Sequence, residues 1–393
     1  MNKRSLSCKL RSIAVFRNVL QDTAISELCR LMSDKDEDFI SDYGRFISAL
    51  YAENVDLSKY ILKRVLEDEN FYIRGKASGK EFDPLVEEAV ENELKIFQEL
   101  SQVTQQEMIS DIGYDGSLPK WRISDVDIVK EYKERIENIG RYGFGKYAAY
   151  TMFRLEGKEI IPIEFPDKQR LDELYSYEKE RAAVVENTVA LIEGRPAQNA
   201  LLYGDAGTGK SSTVKAVVNE FADRGLRLIE MTKEQLSDIP LILKEISEVP
   251  LKFLIFIDDL SFTSGEDRFG ALKAVLEGSA SAKAANTVIY ATSNRRHLVR
   301  ESFADREGDD VHRNDTMQEL LSLSARFGLR VNFMRPDKKQ YIEIAKRIVQ
   351  SCGINIPDEQ LALEAEAFAM QGNGRSPRTA KQFAYQLVNK YNM

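Results

Sequence analysis

The sequence predicts an α/β protein: a parallel sheet with helices on both faces, preceded by a mostly helical region and followed by a small helical lid. Three observations predict it. From about residue 167, short β-type apolar runs alternate with helical ones, the rhythm of strand, crossover helix and strand. Before that point apolar positions recur at helical spacing within heavily charged sequence, as in DPLVEEAVENELKIFQELSQVTQQEMI. After MRPDKK the β-type runs stop, and segments 337–351, 357–371 and 376–391 read as helices.

Taken in order, residues 1–166 form the helical domain. Its helices are interrupted by the turn-rich IGYDGSLPKW, and RYGFGKYAAYTMFRLEGKEIIPIEFPD ends it as a β-hairpin or strand pair turning near Gly157. The aromatics of that stretch either pack a small β core at the domain junction or offer a ligand surface. Residues 167–334 form the sheet domain, opened by a helix through LDELYSYEKERAAVVENTVALIEG. Five strands follow: NALLYG, LRLIEM, KFLIFID, NTVIYATS and GLRVNF. Residues 335–393 form the lid.

Composition sets limits on chemistry. The chain has 393 residues, enough for two or three domains, with 43% hydrophobic and 30% charged residues. Its cysteines, Cys8, Cys29 and Cys352, are scattered and its histidines are His297 and His312, which argues against a zinc site or a disulfide framework. The formal net charge of -8 disfavours nucleic-acid binding across the whole surface, while leaving room for a local basic groove. No apolar run reaches membrane-spanning length and the start lacks the long apolar core of a signal peptide, so a cytoplasmic location is expected.

The chemistry-bearing motif is GDAGTGKS, from Gly204 to Ser211, directly after an apolar run and directly before the helical TVKAVVNEF. Gly204, Gly207 and Gly209 allow the backbone of Asp205, Ala206 and Thr208 to curl so that N–H groups face phosphate oxygens at a helix N-terminus, where Ser212 also lies. Lys210 would hold the β and γ phosphates, and the Ser211 hydroxyl would ligate Mg²⁺. A second signal strengthens the first. KFLIFID ends in Asp258 and Asp259, adjacent like charges at a strand end, which need a cation nearby. That cation is expected to be Mg²⁺ brought by a nucleotide, held by Asp258, with Asp259 acting on the attacking water or else capping the next helix. Together these predict a P-loop NTPase sheet.

With those residues placed, the chain resembles the AAA+ ATPases over about 167–393. NTVIYATSNRR is similar to a sensor-1 strand, implying that Asn294 positions water or the γ phosphate; a strand-end turn residue is the plainer role. GRSPRTAKQFAYQL is similar to the start of a sensor-2 helix and implies that Arg378 meets the γ phosphate, with Arg375 as a competitor. Pro377 favours Arg378, because proline suits a first helical turn. ALLYGDAGTGKSSTVKA, FLIFIDDLSF, VIYATSNRRHL and LSLSARFGLRV resemble, more narrowly, the bacterial family known as domain of unknown function 815.

The resemblance implies ATP and Mg²⁺ as cofactors and ATP hydrolysis as the activity. It implies that Arg326 reaches the phosphate of an adjacent subunit, so a homo-oligomer is expected; otherwise Arg326 satisfies helix-end carbonyls. P-loop NTPases usually have glutamate at the position of Asp259, and aspartate is shorter by about 1.5 Å, which predicts slow turnover. Base contacts are expected around Leu174 and Tyr175. Remodelling or switching of a protein partner bound by the N-terminal domain is the favoured task. Alternatives are a nucleic-acid-associated initiator or helicase loader, with Asn294, Arg295, Arg296, His297 and Arg300 as a basic cluster, and a scaffold that binds ATP without hydrolysing it.

Overall fold

The computed structural model describes residues 3–33, 39–109, 116–261, 272–273, 275–276, 285–294, 325–372 and 374–391. It divides into two compact units: Met1–Ala149 with Glu248–Pro250, and Tyr150–Ser247 with Leu251–Met393.

The first unit is helical, and its helices begin where the sequence supplies caps. Asp22, Asp56, Asn70, Asp83 and Asp127 each accept a hydrogen bond from the first turn of the following helix, starting Thr23–Leu31, Leu57–Glu67, Phe71–Ala77, Pro84–Ser101 and Ile128–Glu137. Losing such a cap typically costs about 1 kcal/mol. Phe16 meets Phe97 and Tyr132 edge-on, with ring centroids 5.9 and 5.2 Å apart. Glu93 is buried beside them. Its carboxylate accepts the N–H groups of Ala14, Val15 and Phe16, which satisfies the charge and fastens the loop to helix Pro84–Ser101.

The second unit is built on a sheet of seven strands: β1 (Met152–Glu156), β2 (Glu159–Pro162), β3 (Ala200–Gly204), β4 (Leu226–Met231), β5 (Lys252–Ile257), β6 (Thr287–Ser293) and β7 (Leu329–Phe333), ordered β2-β1-β4-β5-β6-β3-β7. All the five expected strands are present as parallel neighbours. The expected number, five, is corrected to seven because the hairpin joins this sheet: β1 pairs antiparallel with β2 and parallel with β4. The boundary expected at 166/167 accordingly falls at 149/150 between the compact units.

Burial follows position in the sheet. Central β5 and β6 are buried along almost their whole length, whereas edge strand β7 alternates, so periodicity changes with the number of covered faces. Val184 and Leu191 of helix Glu178–Ile192 and Val214, Val217 and Val218 of helix Lys210–Phe221 share one core with Leu202, Leu254, Phe256 and Tyr290. The helix expected from Leu171 starts later, at Glu178. A short 3-10 turn, Leu171–Glu173, precedes it, and Ser176 and Tyr177 adopt positive φ, +65° and +61°. The lid helices are Lys338–Ser351, Asp358–Gln371 and Pro377–Tyr391, packed around Tyr341, Ile344, Ala365 and Phe383.

Candidate functional site: a phosphate loop facing two aspartates

Gly204 ends β3 and begins the loop. Its φ is +129°, and a Cβ there would lie 2.2 Å from the Phe333 carbonyl oxygen, so no other residue fits without moving β7. The Asp205 N–H donates to that same carbonyl at 3.0 Å, and the Asp205 carboxylate accepts the Arg335 N–H at 2.8 Å. Thr208 Oγ1 donates to the Asp205 carbonyl at 2.8 Å, closing the curl, and helix Lys210–Phe221 starts directly after Gly209. The loop is therefore fixed by neighbouring backbone before any ligand arrives.

Lys210 is 6% exposed and donates to the carbonyls of Gly204 (3.0 Å) and Asp205 (2.7 Å) and to Asn294 Oδ1 (3.1 Å). Burial holds its ammonium below the ordinary lysine range, opposed by Asp205, Asp258 and Asp259. Ser211 Oγ donates to Asp258 Oδ1 at 2.7 Å. Thr292 Oγ1 donates to the same oxygen at 2.5 Å and accepts the Asp259 N–H at 2.9 Å. Asn294 Nδ2 donates to Asp259 Oδ1 at 2.8 Å, so Asn294 links Lys210 with Asp259.

Asp259 has φ +51°; with Ser176 and Tyr177 it completes the non-glycine positive-φ residues among the described ones, and Tyr177 and Asp259 both line one cavity. Backbone strain is thus gathered at one place. That cavity, about 790 Å³, is lined by Ala206 to Thr213, both aspartates, Thr292 and Asn294. On the other side stand Leu174, Tyr175, Tyr177, Ile344 and Ile348, and the lid adds Arg378, Lys381 and Tyr385. Tyr177 OH donates to the Met334 carbonyl at 2.6 Å, and burial pushes its phenol pKa up.

The two lid arginines part company. Arg375 pairs with the buried Glu366 inside the lid, while Arg378 lines the cavity and its N–H donates to the Gly207 carbonyl at 3.2 Å. A Cβ on Gly207 would come within 3.1 Å of Ser376 Oγ and 3.2 Å of Arg378 Cβ, so the loop tip and the lid helix touch closely. Arg326 is exposed just before β7 and is not among the cavity-lining residues. Arg295, Arg296, His297, Arg300 and the helix expected after Asp259 lie outside the described residues.

The residue reading missed Thr292 as the bridge between the aspartates, although it was quoted at a strand tip. It also missed Arg181, Lys381 and Tyr385 as cavity residues. Lys381 and Tyr385 stand three and seven places after Arg378, the spacing of one helix face, which is the signal that could have found them.

The family "Protein of unknown function (DUF815)" matches residues 146–391. The chain belongs to this family. The DUF815 match begins just ahead of the hairpin and runs to the end of the last lid helix, so it spans the sheet, the phosphate loop and the lid. The matched region holds the parallel strands β4-β5-β6-β3-β7, the phosphate loop after β3 and the three lid helices. Among solved structures, RuvB of Thermotoga maritima is similar at 16% identity, with 58% of this chain and 67% of that one covered and a TM-score of 0.39. AMPPCP-bound DnaA from Aquifex aeolicus is similar at 17% identity, covering 58% and 68%, with a TM-score of 0.41. No curated protein matches the chain in sequence.

Proposed function

We propose that this DUF815 protein binds ATP with Mg²⁺ in the cavity and hydrolyses it between subunits of a homo-oligomer, to switch or remodel a protein partner held by the helical unit. The supporting observation is the Ser211–Asp258 hydrogen bond of 2.7 Å beside buried Lys210. The Ser211 hydroxyl and the Asp258 carboxylate beside the phosphate loop are hard oxygen donors that would hold a magnesium ion. No cluster of three or more His, Cys, Asp or Glu residues exists among the described residues, which suits an ion that takes most of its ligands from water and phosphate. When bound, Mg²⁺ neutralises charge on the β and γ phosphates.

The chain's own residues supply the rest. Lys210 exchanges its carbonyl and Asn294 partners for phosphate oxygens, and the loop N–H groups donate to the same anion. Asp259 takes a proton from the water that attacks the γ phosphorus as the bond to the β-γ bridging oxygen breaks, giving ADP and phosphate. Asn294 orients Asp259 and that water, Arg378 meets the γ phosphate from the lid, and Arg326 of one subunit acts on the nucleotide of the next. The short Asp259 side chain predicts slow turnover.

The test is ATP turnover by the purified chain and by Asp259→Asn. We expect a fall of roughly 10² to 10⁴-fold with nucleotide binding retained. Unchanged turnover in Asp259→Asn would remove Asp259 from the reaction, and absent turnover in the wild type at every protein concentration would leave only binding.

A further inference from the structure

The second residue of the phosphate loop, Asp205, is an acid. A carboxylate in a loop that receives phosphate opposes its ligand unless a cation stands beside it, and here that cation comes from the connection between sheet and lid. Arg335 lies between the end of β7 and helix Lys338–Ser351. Its backbone N–H donates to Asp205 Oδ2 at 2.8 Å, and its Nε stands 3.8 Å from Asp205 Oδ1. Arg335 thus holds the carboxylate twice, once through an N–H that any residue but proline carries and once through a charge that its side chain alone brings. Both side chains are partly exposed, 53% and 39%, so the pair contributes little to stability. Its effect is on the field inside the loop.

Asp205 and Arg335 are not among the cavity-lining residues, which places the pair behind the loop and not against the ligand. The guanidinium also reaches the lid. A Cβ on Gly374, whose φ is +83°, would stand 2.9 Å from Arg335 Nη1. Thr379 Oγ1 donates to the Gly374 carbonyl at 2.8 Å, which joins that turn to helix Pro377–Tyr391 and so to Arg378. Lid-side residues therefore hold the loop at two points, Asp205 by Arg335 and Gly207 by the Arg378 N–H. Lys210 donates to the Asp205 carbonyl at 2.7 Å, and when its ammonium turns to phosphate Arg335 is the cation left beside the acid.

We propose that Arg335 is a positioning residue for the triphosphate: it cancels the charge of Asp205 behind the phosphate loop and fixes that end of the loop against the lid. The inference rests on the ATP reading of the cavity and adds a residue that reading does not use. Its signature is electrostatic. Removing the guanidinium leaves the N–H bond to Asp205 in place and uncovers the carboxylate, so the loss must shrink with salt and must vanish when the carboxylate is neutralised as well.

The experiment titrates a fluorescent ATP analogue with Mg²⁺ into the full chain at about 50 mM and about 500 mM salt, with Lys210→Ala as the control for the site. Arg335→Met keeps the apolar stem and should bind about three- to tenfold more weakly than the wild type at low salt, the ratio falling by about twofold or more at high salt. Adding Asp205→Asn to Arg335→Met should bring affinity back to within about twofold of the wild type, because asparagine Oδ1 still accepts the Arg335 N–H. Arg335→Lys, which keeps the charge, should lose less than Arg335→Met. Arg335→Gln takes the place of Arg335→Met if that variant does not fold. Equal binding by the wild type and Arg335→Met overturns the inference. So does a loss that ignores salt and persists in the double variant, because Arg335 then acts by packing alone. Either failure leaves Lys210-dependent binding by the wild type intact, whereas a wild type that binds no ATP overturns the ATP reading and this inference together.

Discussion

The sheet unit and the helical unit use polar groups for opposite ends. In the sheet unit they converge: Lys210, Asp258, Asp259, Thr292 and Asn294 meet at the ends of β3, β5 and β6, with Asp259 in a positive-φ conformation uncommon outside glycine. In the helical unit they are dispersed as fasteners, with Asp and Asn caps at helix starts and Glu93 closing a loop of three successive amides. Convergent charge and strain are costly unless a ligand repays them, whereas dispersed caps stabilise without any ligand. The difference teaches where to look for chemistry and where for architecture.

Substitutions should obey that division. Arg326→Ala carries the largest expected effect, a fall of about 10³-fold or more in turnover with ATP affinity retained, measured by steady-state hydrolysis over a range of protein concentrations. A wild-type rate per chain that does not change with concentration would deny Arg326 its role on a neighbour. Glu93→Ala should lower unfolding free energy by about 2 to 4 kcal/mol, because three amides, two of them buried, lose a charged acceptor; denaturant titration reads it. ATP affinity should stay unchanged. If affinity fell in the folded variant, the two units would not divide labour as described.

The smallest expected effect concerns protons. Burial depresses the Lys210 ammonium, so the loop loses its charge at a lower pH than a solvated lysine would. A bound triphosphate favours the charged form and raises that value again. ATP binding should therefore take up a fraction of a proton as pH rises toward the depressed value, and affinity should weaken as pH rises through it. Calorimetry in buffers of different ionisation enthalpy measures the uptake.

Much of the sheet unit was legible because its signals are local. GDAGTGKS is contiguous, each strand is an apolar run, and the lid helices start within one residue of expectation. The hairpin was read correctly as a hairpin and placed in the wrong unit, since the pairing of β1 with β4 joins residues more than seventy positions apart and leaves no mark in either segment. Ser176 and Tyr177 break the predicted helix because Arg181 donates to the Ser176 carbonyl and Tyr177 packs on Phe333, contacts that propensity does not contain. The sensor-2 resemblance and Pro377 favoured Arg378 over Arg375; in the structure Arg378 lines the cavity, while Arg375 pairs with Glu366 inside the lid.

The most direct measurement is calorimetric titration of ATP into the intact protein with and without Mg²⁺, using Lys210→Ala as the control. The account predicts saturable binding at one site, strengthened by Mg²⁺ and weakened by about 10²-fold or more in the variant, equivalent to roughly 3 kcal/mol. Binding that ignores both the ion and Lys210 would contradict it.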